Sequence, residues 1–459
     1  MSNSESKNIM IHGKVLPTFF TYAIPWVLAL LAQSSAGIID GIFIGKYCGT
    51  LQLAATNLII PVYSVFMAIA IVFCVGGVVR YAKYLGEGNL VHADAIFTKI
   101  IIVMIIFSLA MALFGYLFAE PIMSVLGVRG NVYQYSLKYF LILLAFVPFF
   151  MIGFSLSSFV RADGNVLLAG IAPLIGVVLN ILLDFVLIAK LKMGIAGAAY
   201  ATGVSQLTGF LILLLHFFWK NNNLRFTKHV GSFKEIVLAA YNGSSELFSE
   251  MSTGIIILLY NRVLMAMAGE NGIAAFTIVS YLSFVVMMVG YGVSDNLGPI
   301  ISANYGAKNK VRILQFLGCG LILELLFGIV TVLVLTFASE NLILMFINKS
   351  QAGAQDVISL TSRFILIFKW GFILSGVNII MATLFTGLHL PGASLIIAVL
   401  RGIILPITLL NYLPKLFNLG LDGVFMAMPI SELITFTAAV IVFIFVWKKR
   451  SREITISKA

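Results

Sequence analysis

The chain has 459 residues, of which 61% are hydrophobic and only 10% are charged, and its mean hydropathy is +1.06. An ordinary soluble domain is about 45–50% apolar and about 25% charged, so this composition excludes a soluble globular protein. The formal net charge of +11 is explained by basic loops on one side of a membrane, and it does not indicate nucleic-acid binding.

Apolar runs of about 20 residues or more, separated by short polar stretches, are typical of helices that cross a bilayer. The runs are apolar on every face, whereas strands of a membrane barrel alternate, so an all-α membrane protein is predicted. Twelve transmembrane helices are predicted in chain order: 16–44, 51–79, 96–119, 136–160, 165–189, 194–219, 236–267, 273–300, 313–338, 362–387, 392–413 and 421–447. Prolines inside these spans are expected to break or kink their helices, namely Pro25, Pro61, Pro148, Pro173 and Pro406.

The lysine and arginine residues are distributed unequally over the loops. With the N-terminus in the cytoplasm, 18 of the 29 basic residues fall on the cytoplasmic side and 9 on the other side. Because positive residues stay preferentially in the cytoplasm, both termini are predicted to be cytoplasmic. The expected location is the cytoplasmic (inner) membrane.

The polar stretch 220–235 lies near the middle of the chain. It is predicted to be a cytoplasmic linker between an N-terminal lobe of six helices, 1–219, and a C-terminal lobe, 236–459, which carries a basic tail. The segment Tyr84–Val91 recurs 220 residues later as Asn304–Val311, which indicates a duplication. Because each lobe has an even number of helices, we expect pseudo-symmetry about the membrane normal and a binding cavity between the lobes.

Few charged residues fall inside the apolar runs, where each costs about 2.5–3.5 kcal/mol at the bilayer centre. Asp40 lies late in helix 1, and Asp184 lies inside helix 5 with Asn180 one turn earlier on the same face. Thr202 in helix 6 can supply a hydroxyl beside them. Two carboxylates in one low-dielectric pocket cannot both ionise comfortably, so they can carry a proton, but the same oxygen ligands also suit Na+. In the alternative interpretation Asp40 is hydrated and structural.

Four further residues are predicted to line a substrate cavity. Glu246 and Glu250 are one turn apart near the start of helix 7, where they guard the cavity mouth or form a second cation site. The alternative is a solvated first turn that complements the helix dipole. Gln33 on helix 1 and Tyr139 on helix 4 are the other two candidates.

Two single carboxylates lie deeper in the second half of the chain. Glu324 is in helix 9 and Glu432 is in helix 12. Each can simply bond to Arg401 or to a neighbouring helix, so neither is assigned a role.

Enzymatic sequence motifs are not found in the chain. It has no G-x-x-x-x-G-K-[ST] loop, no metalloenzyme motif and only three widely spaced cysteines. We therefore expect neither an enzyme nor a cofactor, and we expect any energy for transport to come from an ion gradient or from a partner.

Several segments resemble the signatures of one transporter family. They are Gly37–Gly45 followed by Leu53–Ala55, Arg161–Asn165 after helix 4, Asn180–Asp184 in helix 5, Gly194–Ala199 opening helix 6, and Pro299–Ala307 after helix 8. In this order, the segments are similar to those of the multidrug and toxic compound extrusion (MATE) family. The resemblance covers most of the chain.

The resemblance implies a V-shaped transporter of twelve helices in two pseudo-symmetric six-helix lobes. It also implies a secondary active antiporter, expected as a monomer in the bilayer, that exports amphipathic, mostly cationic small molecules in exchange for H+ or Na+. Asp40, Asn180, Asp184 and Thr202 match the family's ion site in the first lobe. Glu246 and Glu250 match its acidic position in helix 7 only approximately.

A flippase for a lipid-linked precursor is the main alternative, because such proteins resemble this family in fold. A cavity for an anionic pyrophosphate should be lined with arginine and lysine. Only Arg262 and Arg401 are plausible lining residues within the spans, which disfavours the flippase.

Overall fold

The computed structural model describes residues 9–220, 222–228, 231–347 and 353–456, and in this part of the chain all regular structure is helical. The ends of both predicted cytoplasmic tails, 1–8 and 457–459, lie outside the described residues. Ten described helices are long and apolar enough to cross a membrane, and one bent pair adds an eleventh. One of the ten, Lys234–Gly306, contains two predicted crossings, so the twelve predicted spans are all present.

We label the crossing helices α1 to α12. They are α1 Val15–Cys48, α2 Leu51–Gly86, α3 Leu90–Leu117, α4 Val132–Leu144 with Val147–Ala162, α5 Val166–Lys190, α6 Ile195–Phe218, α7 234–268, α8 270–306, α9 Lys310–Phe337, α10 Ala354–Gly387, α11 Pro391–Tyr412 and α12 Leu421–Arg450. Two of them contain a π-helical segment, Asp184–Lys190 in α5 and Leu400–Ile404 in α11.

The predicted gap between helices 7 and 8 is longer than the break in the structure. The predicted spans are separated by residues 268–272, but the structure is helical from Lys234 to Gly306 except at Gly269, where φ is 60° and ψ is −148°. Glycine has no Cβ and adopts such a conformation at little cost, so a single residue is enough to interrupt the helix.

Helix 4 is predicted as one span, 136–160, but it consists of two pieces that meet at an angle of 50°. Pro148 lies in the first turn of the second piece, where its missing N–H costs nothing. The same residue cannot continue the hydrogen bonds of the first piece, which explains the break. Pro25 and Pro61, by contrast, lie inside continuous helices.

Several helices extend further than the apolar runs predict. α2 continues to Gly86 instead of 79, α3 begins at Leu90 instead of 96, and α10 begins at Ala354 instead of 362. Backbone hydrogen bonding does not stop where hydropathy falls, so polar residues at the membrane edge remain helical.

The duplicated segment folds in the same way in both halves. The side chain of Asn89 accepts a hydrogen bond from the backbone N–H of His92 at 3.2 Å, and Asn309 accepts one from Arg312 at 3.2 Å. α3 and α9 follow these caps, and each is 28 residues long. The predicted shift of 220 residues therefore relates two structurally equivalent helices.

The chain divides into two compact units, Met1–Gly243 and Ser244–Ala459. The division falls inside α7. The described part of the predicted linker, 220–235, and the first turns of α7 belong to unit 1, because they pack against its helices. The backbone N–H of Thr227 donates to the Thr98 hydroxyl at 3.1 Å, and Lys99, which is buried, pairs with Glu235.

Close helix packing in each unit positions the polar residues of the bundle. In unit 1, α5 packs against α1 and α6, which brings together the helices that carry Asp40, Asp184 and Thr202. In unit 2, α9 packs against α10 through Gly328, where a Cβ atom would lie 2.5 Å from the carbonyl oxygen of Phe372.

Candidate functional site

The carboxyl groups of Asp40 and Asp184 are direct neighbours in unit 1. Asp40 comes from α1 and Asp184 from the first residue of the π-helical segment of α5, and one carboxyl group is within hydrogen-bonding reach of the other. Asp184 is fully buried, and Asp40 is half-buried. Two ionised carboxylates cannot hydrogen-bond, so this contact is favourable only when a proton or a cation lies between them.

No donor within the described residues satisfies this acidic pair. Both carboxyl oxygens of Asp184 and Oδ1 of Asp40 are buried without a hydrogen-bond partner, and the ion pairs of the described chain do not include either residue. Uncompensated charge inside a membrane protein is costly and usually marks an ion or proton site.

Two other predicted ligands, Asn180 and Thr202, lie close to the acidic pair. Asn180 is buried one turn before Asp184, and its backbone carbonyl accepts the N–H of Asp184. The hydroxyl group of Thr202 on α6 hydrogen-bonds with that of Tyr139 on α4, and Tyr139 is close enough to interact electrostatically with both aspartates. The predicted cavity residue Tyr139 therefore lies at the predicted ion site.

Two further polar residues, Gln206 and Tyr63, lie beside this site and were not predicted from the sequence. Nε2 of Gln206 donates to the hydroxyl of Tyr63 at 2.6 Å, which links α6 to α2. Tyr63 also interacts with Tyr139. A polar residue within an apolar run indicates a buried or functional position. These helices are apolar on every face, however, so the sequence does not show which of their residues point inward.

Gln33 is not part of this cluster. It lies on α1 seven residues before Asp40, two helical turns and about 10 Å away, and its side chain is exposed. Its predicted role at a substrate cavity remains a prediction.

Unit 2 contains a separate small polar cavity. Its polar lining comes from four helices: Glu246 and Ser249 of α7, Tyr291 of α8, Asn378 of α10 and Arg401 of α11. The space of about 20 Å³ is large enough for a water-sized occupant. Of the two predicted glutamates, Glu246 lines this cavity, whereas Glu250 is exposed and does not.

Arg401 is a basic residue inside this cavity, and it pairs with Glu432 of α12. The guanidinium approaches the carboxylate with two nitrogens, at 2.8 Å from Nη2 and 2.9 Å from Nε to Oε1. Asn378 also donates to Oε2 of Glu432 at 2.6 Å. Both predicted kinds of partner for Glu432, Arg401 and a neighbouring helix, are therefore present.

The segment Arg161–Asn165 organises the end of unit 1 at the predicted linker. Asp163 is buried and accepts hydrogen bonds from the hydroxyl of Tyr81 at 2.8 Å, from Nε2 of His216 at 2.9 Å and from the backbone N–H of Asn223 at 2.8 Å. These contacts join α2, α4, α6 and the linker. Within the described residues these contacts give the segment a structural role.

A family model described as MatE matches residues 25–186 and 246–413 of the chain. The multidrug export protein MepA of Staphylococcus haemolyticus is 25% identical over 97% of this chain and 96% of its own length. The probable multidrug resistance protein YoeA of Bacillus subtilis is 23% identical over 94% of this chain and 93% of its own.

A solved structure described as a multidrug resistance MATE family transporter of the MOP superfamily has the same fold. It superposes with a TM-score of 0.88 at 21% sequence identity, covering 98% of this chain and 99% of the other.

Proposed function

Because the chain belongs to the MatE family, we propose that it is a secondary active efflux antiporter that exports amphipathic, mostly cationic compounds in exchange for H+ or Na+ by alternating access. Relatives along nearly the whole chain are named for multidrug export and multidrug resistance, which supports a small-molecule cargo. The protein acts as a monomer in the cytoplasmic membrane, and both of its termini lie in the cytoplasm. Transport requires the coupling ion and no cofactor.

The observation that carries the proposal is the buried contact between Asp40 and Asp184 without a basic partner. Removal of the ion leaves two like charges on α1 and α5, and their repulsion in a low-dielectric site favours separation of the carboxyl groups. Entry of H+ or Na+ neutralises the repulsion and draws α1 towards α5. The bound ion thus biases the conformation of α1, and this bias is the coupling step of transport.

The oxygen atoms near the pair are compatible with either ion. A proton is shared between the two carboxyl groups, whereas Na+ requires several oxygen ligands, which the amide of Asn180 and the hydroxyls of Thr202 and Tyr139 can supply. Both ions leave the pair less negative, so both drive the same conformational bias.

The flippase alternative is less well supported. A site for a pyrophosphate needs available basic groups in the bundle. Of the two arginines considered, Arg401 is paired with Glu432, and Arg262 has an exposed side chain.

Ethidium efflux from proteoliposomes tests the proposal. Wild-type protein is compared with Asp40→Asn and Asp184→Asn under an imposed pH gradient, an imposed Na+ gradient and no gradient. Glu120→Gln is the matched control, because Glu120 is an exposed carboxylate of unit 1 in the short helix Ala119–Val125.

We expect one gradient to drive efflux by wild type and Glu120→Gln, and we expect both aspartate variants to fall to the rate of protein-free liposomes. Retention of gradient-driven efflux by folded Asp40→Asn or Asp184→Asn would show that the acidic pair is not the coupling site. If neither gradient drives ethidium efflux by folded wild type, drug antiport is contradicted.

A further inference from the structure

Glu324 is a second buried acidic site, located in unit 2 and outside the polar cavity described above. It lies near the middle of α9, which is 28 residues long, so it is about 20 Å along the axis from either end of the helix. Its side chain is 2% exposed. The carboxyl group is therefore placed deep in the hydrocarbon region, where charge is most costly.

The carboxyl group of Glu324 occupies a notch formed by glycines on two neighbouring helices. A Cβ atom on Gly376 of α10 would lie 2.0 Å from Oε2 of Glu324, and one on Gly290 of α8 would lie 3.6 Å from the same oxygen. The space that accepts the carboxyl group exists because Gly376 lacks a side chain, whereas a Cβ atom on Gly290 would make only ordinary van der Waals contact with it.

No charge or hydrogen bond of the described residues compensates this carboxyl group. Oε1 is buried and has no hydrogen-bond partner. The helices packed around α9 carry several titratable groups, among them Tyr291 and Asp295 on α8, Lys369 on α10 and Glu432 on α12, and none of them contributes electrostatically at Glu324. Lys369 donates instead to Thr336, and Glu432 pairs with Arg401.

The repeat shows that packing does not demand a carboxyl group here. α3 and α9 have the same length and the same asparagine cap, 220 residues apart, so Met104 is the counterpart of Glu324. Met104 is fully buried in the hydrophobic core of unit 1. An apolar side chain therefore fills the equivalent position in the other repeat.

We propose that Glu324 is a proton-binding site of unit 2, which holds its proton in the membrane interior as a neutral carboxylic acid and is separate from the Asp40–Asp184 pair. An ionised carboxylate without donor or counter-charge in hydrocarbon is strongly disfavoured, whereas the protonated acid is a small polar group that the glycine notch accommodates. The proton is released when a rearrangement of α8 or α10 brings water or a hydrogen-bond donor to Oε1. This inference concerns occupancy by a proton, and it does not depend on which ion couples transport.

Infrared difference spectroscopy measures this proton directly. Wild type and Glu324→Gln are reconstituted in lipid at neutral pH, and their spectra are subtracted in H2O and in D2O. The expected difference is the loss of one carbonyl band of a protonated carboxylic acid in the variant. Loss of a carboxylate band instead would show that Glu324 is ionised and would overturn the proposal.

A chemical probe tests the same site in the wild-type chain, so the test does not depend on folding of a variant. The hydrophobic reagent dicyclohexylcarbodiimide modifies protonated carboxyl groups in apolar surroundings. We expect an adduct on the peptide that contains Glu324 in wild type and in Asp40→Asn/Asp184→Asn, and no adduct at this position in Glu324→Gln or Glu324→Met. Glu324→Met introduces the residue found at Met104 and is the stability control.

The role of the glycine notch is tested with Gly376→Ala, whose methyl group displaces the carboxyl group from the notch. We expect the infrared band of the protonated acid to shift or disappear in this variant. Absence of the adduct on wild type, together with an unchanged protonated-acid band in Glu324→Gln, would contradict the proposal.

Discussion

Arg401 of α11 forms a two-point ion pair with the buried Glu432 of α12, with 2.8 Å between Nη2 and Oε1 and 2.9 Å between Nε and Oε1. The pair distinguishes the two units of the chain. In unit 1, Asp40 and Asp184 share a site without a basic residue, whereas in unit 2 a fixed guanidinium already neutralises an acidic residue at the cavity that Glu246 lines.

Removal of one partner of this ion pair should destabilise the protein. Arg401→Gln leaves the carboxylate of Glu432 buried without its counter-charge, and we expect a loss of about 3–5 kcal/mol. Arg401→Gln/Glu432→Gln removes both charges and should be clearly more stable than the single variant. Thermal unfolding in detergent measures the ranking, and a double variant less stable than Arg401→Gln would contradict it.

The contact between α2 and the first turns of α7 depends on two glycines of unit 1. A Cβ atom on Gly76 would lie 1.8 Å from the carbonyl oxygen of Ala239, and one on Gly243 would lie 2.0 Å from that of Val72. We expect Gly76→Ala and Gly243→Ala each to lower stability by about 1–3 kcal/mol, because backbone atoms have to move.

The matched control is Gly254→Ala in α7, where a Cβ atom would meet nothing within 4 Å. Alanine is the better helix former by about 1 kcal/mol, so this variant should be as stable as wild type or more stable. If all three variants lose the same stability, the cause is not the close approach of the helices.

Asp163 should hold the linker against unit 1. Asp163→Ala leaves the donors of Tyr81, His216 and Asn223 without their acceptor, and each unsatisfied buried donor costs about 1–3 kcal/mol. A local destabilisation of about 1.4 kcal/mol increases the population of the opened linker about tenfold. Trypsin cleavage after the exposed Arg225 and Lys228 should therefore become at least about tenfold faster.

The control for the cleavage experiment is Asp356→Ala, which removes an exposed carboxylate in the first turn of α10. Its cleavage rate should equal that of wild type. An unchanged rate in folded Asp163→Ala would show that the linker is held by its other contacts.

The two asparagine caps provide a test of the repeat. Asn89 and Asn309 make the same side-chain hydrogen bond at 3.2 Å, so Asn89→Ala and Asn309→Ala should each cost about 1 kcal/mol. The measurement is the shift of the thermal unfolding midpoint, with Asn411→Ala, at an exposed position, as the control. If only one of the two cap substitutions lowers the unfolding midpoint, the equivalence of α3 and α9 is contradicted.

Much of the fold followed from local properties of the chain. The number of spans, their order and the duplication were readable because hydropathy and the cost of intramembrane charge act residue by residue. Helix ends were less predictable: α2 and α3 run past the apolar segments, and the break between α7 and α8 is confined to Gly269. Hydropathy reports where lipid begins, whereas helix ends depend on backbone hydrogen bonds and capping.

The partners of the acidic residues were decided by the tertiary structure. The sequence by itself determined that Asp184, Glu324 and Glu432 lie inside apolar helices and grouped Asp184 with Asp40, but it left the partners of Glu324 and Glu432 open. These helices are apolar on nearly every face, so periodicity does not show which face turns towards which neighbour. Close packing of α1 on α5 brings Asp184 to Asp40, α12 brings Glu432 to Arg401, and the glycine notch of α8 and α10 encloses Glu324 without a charged neighbour.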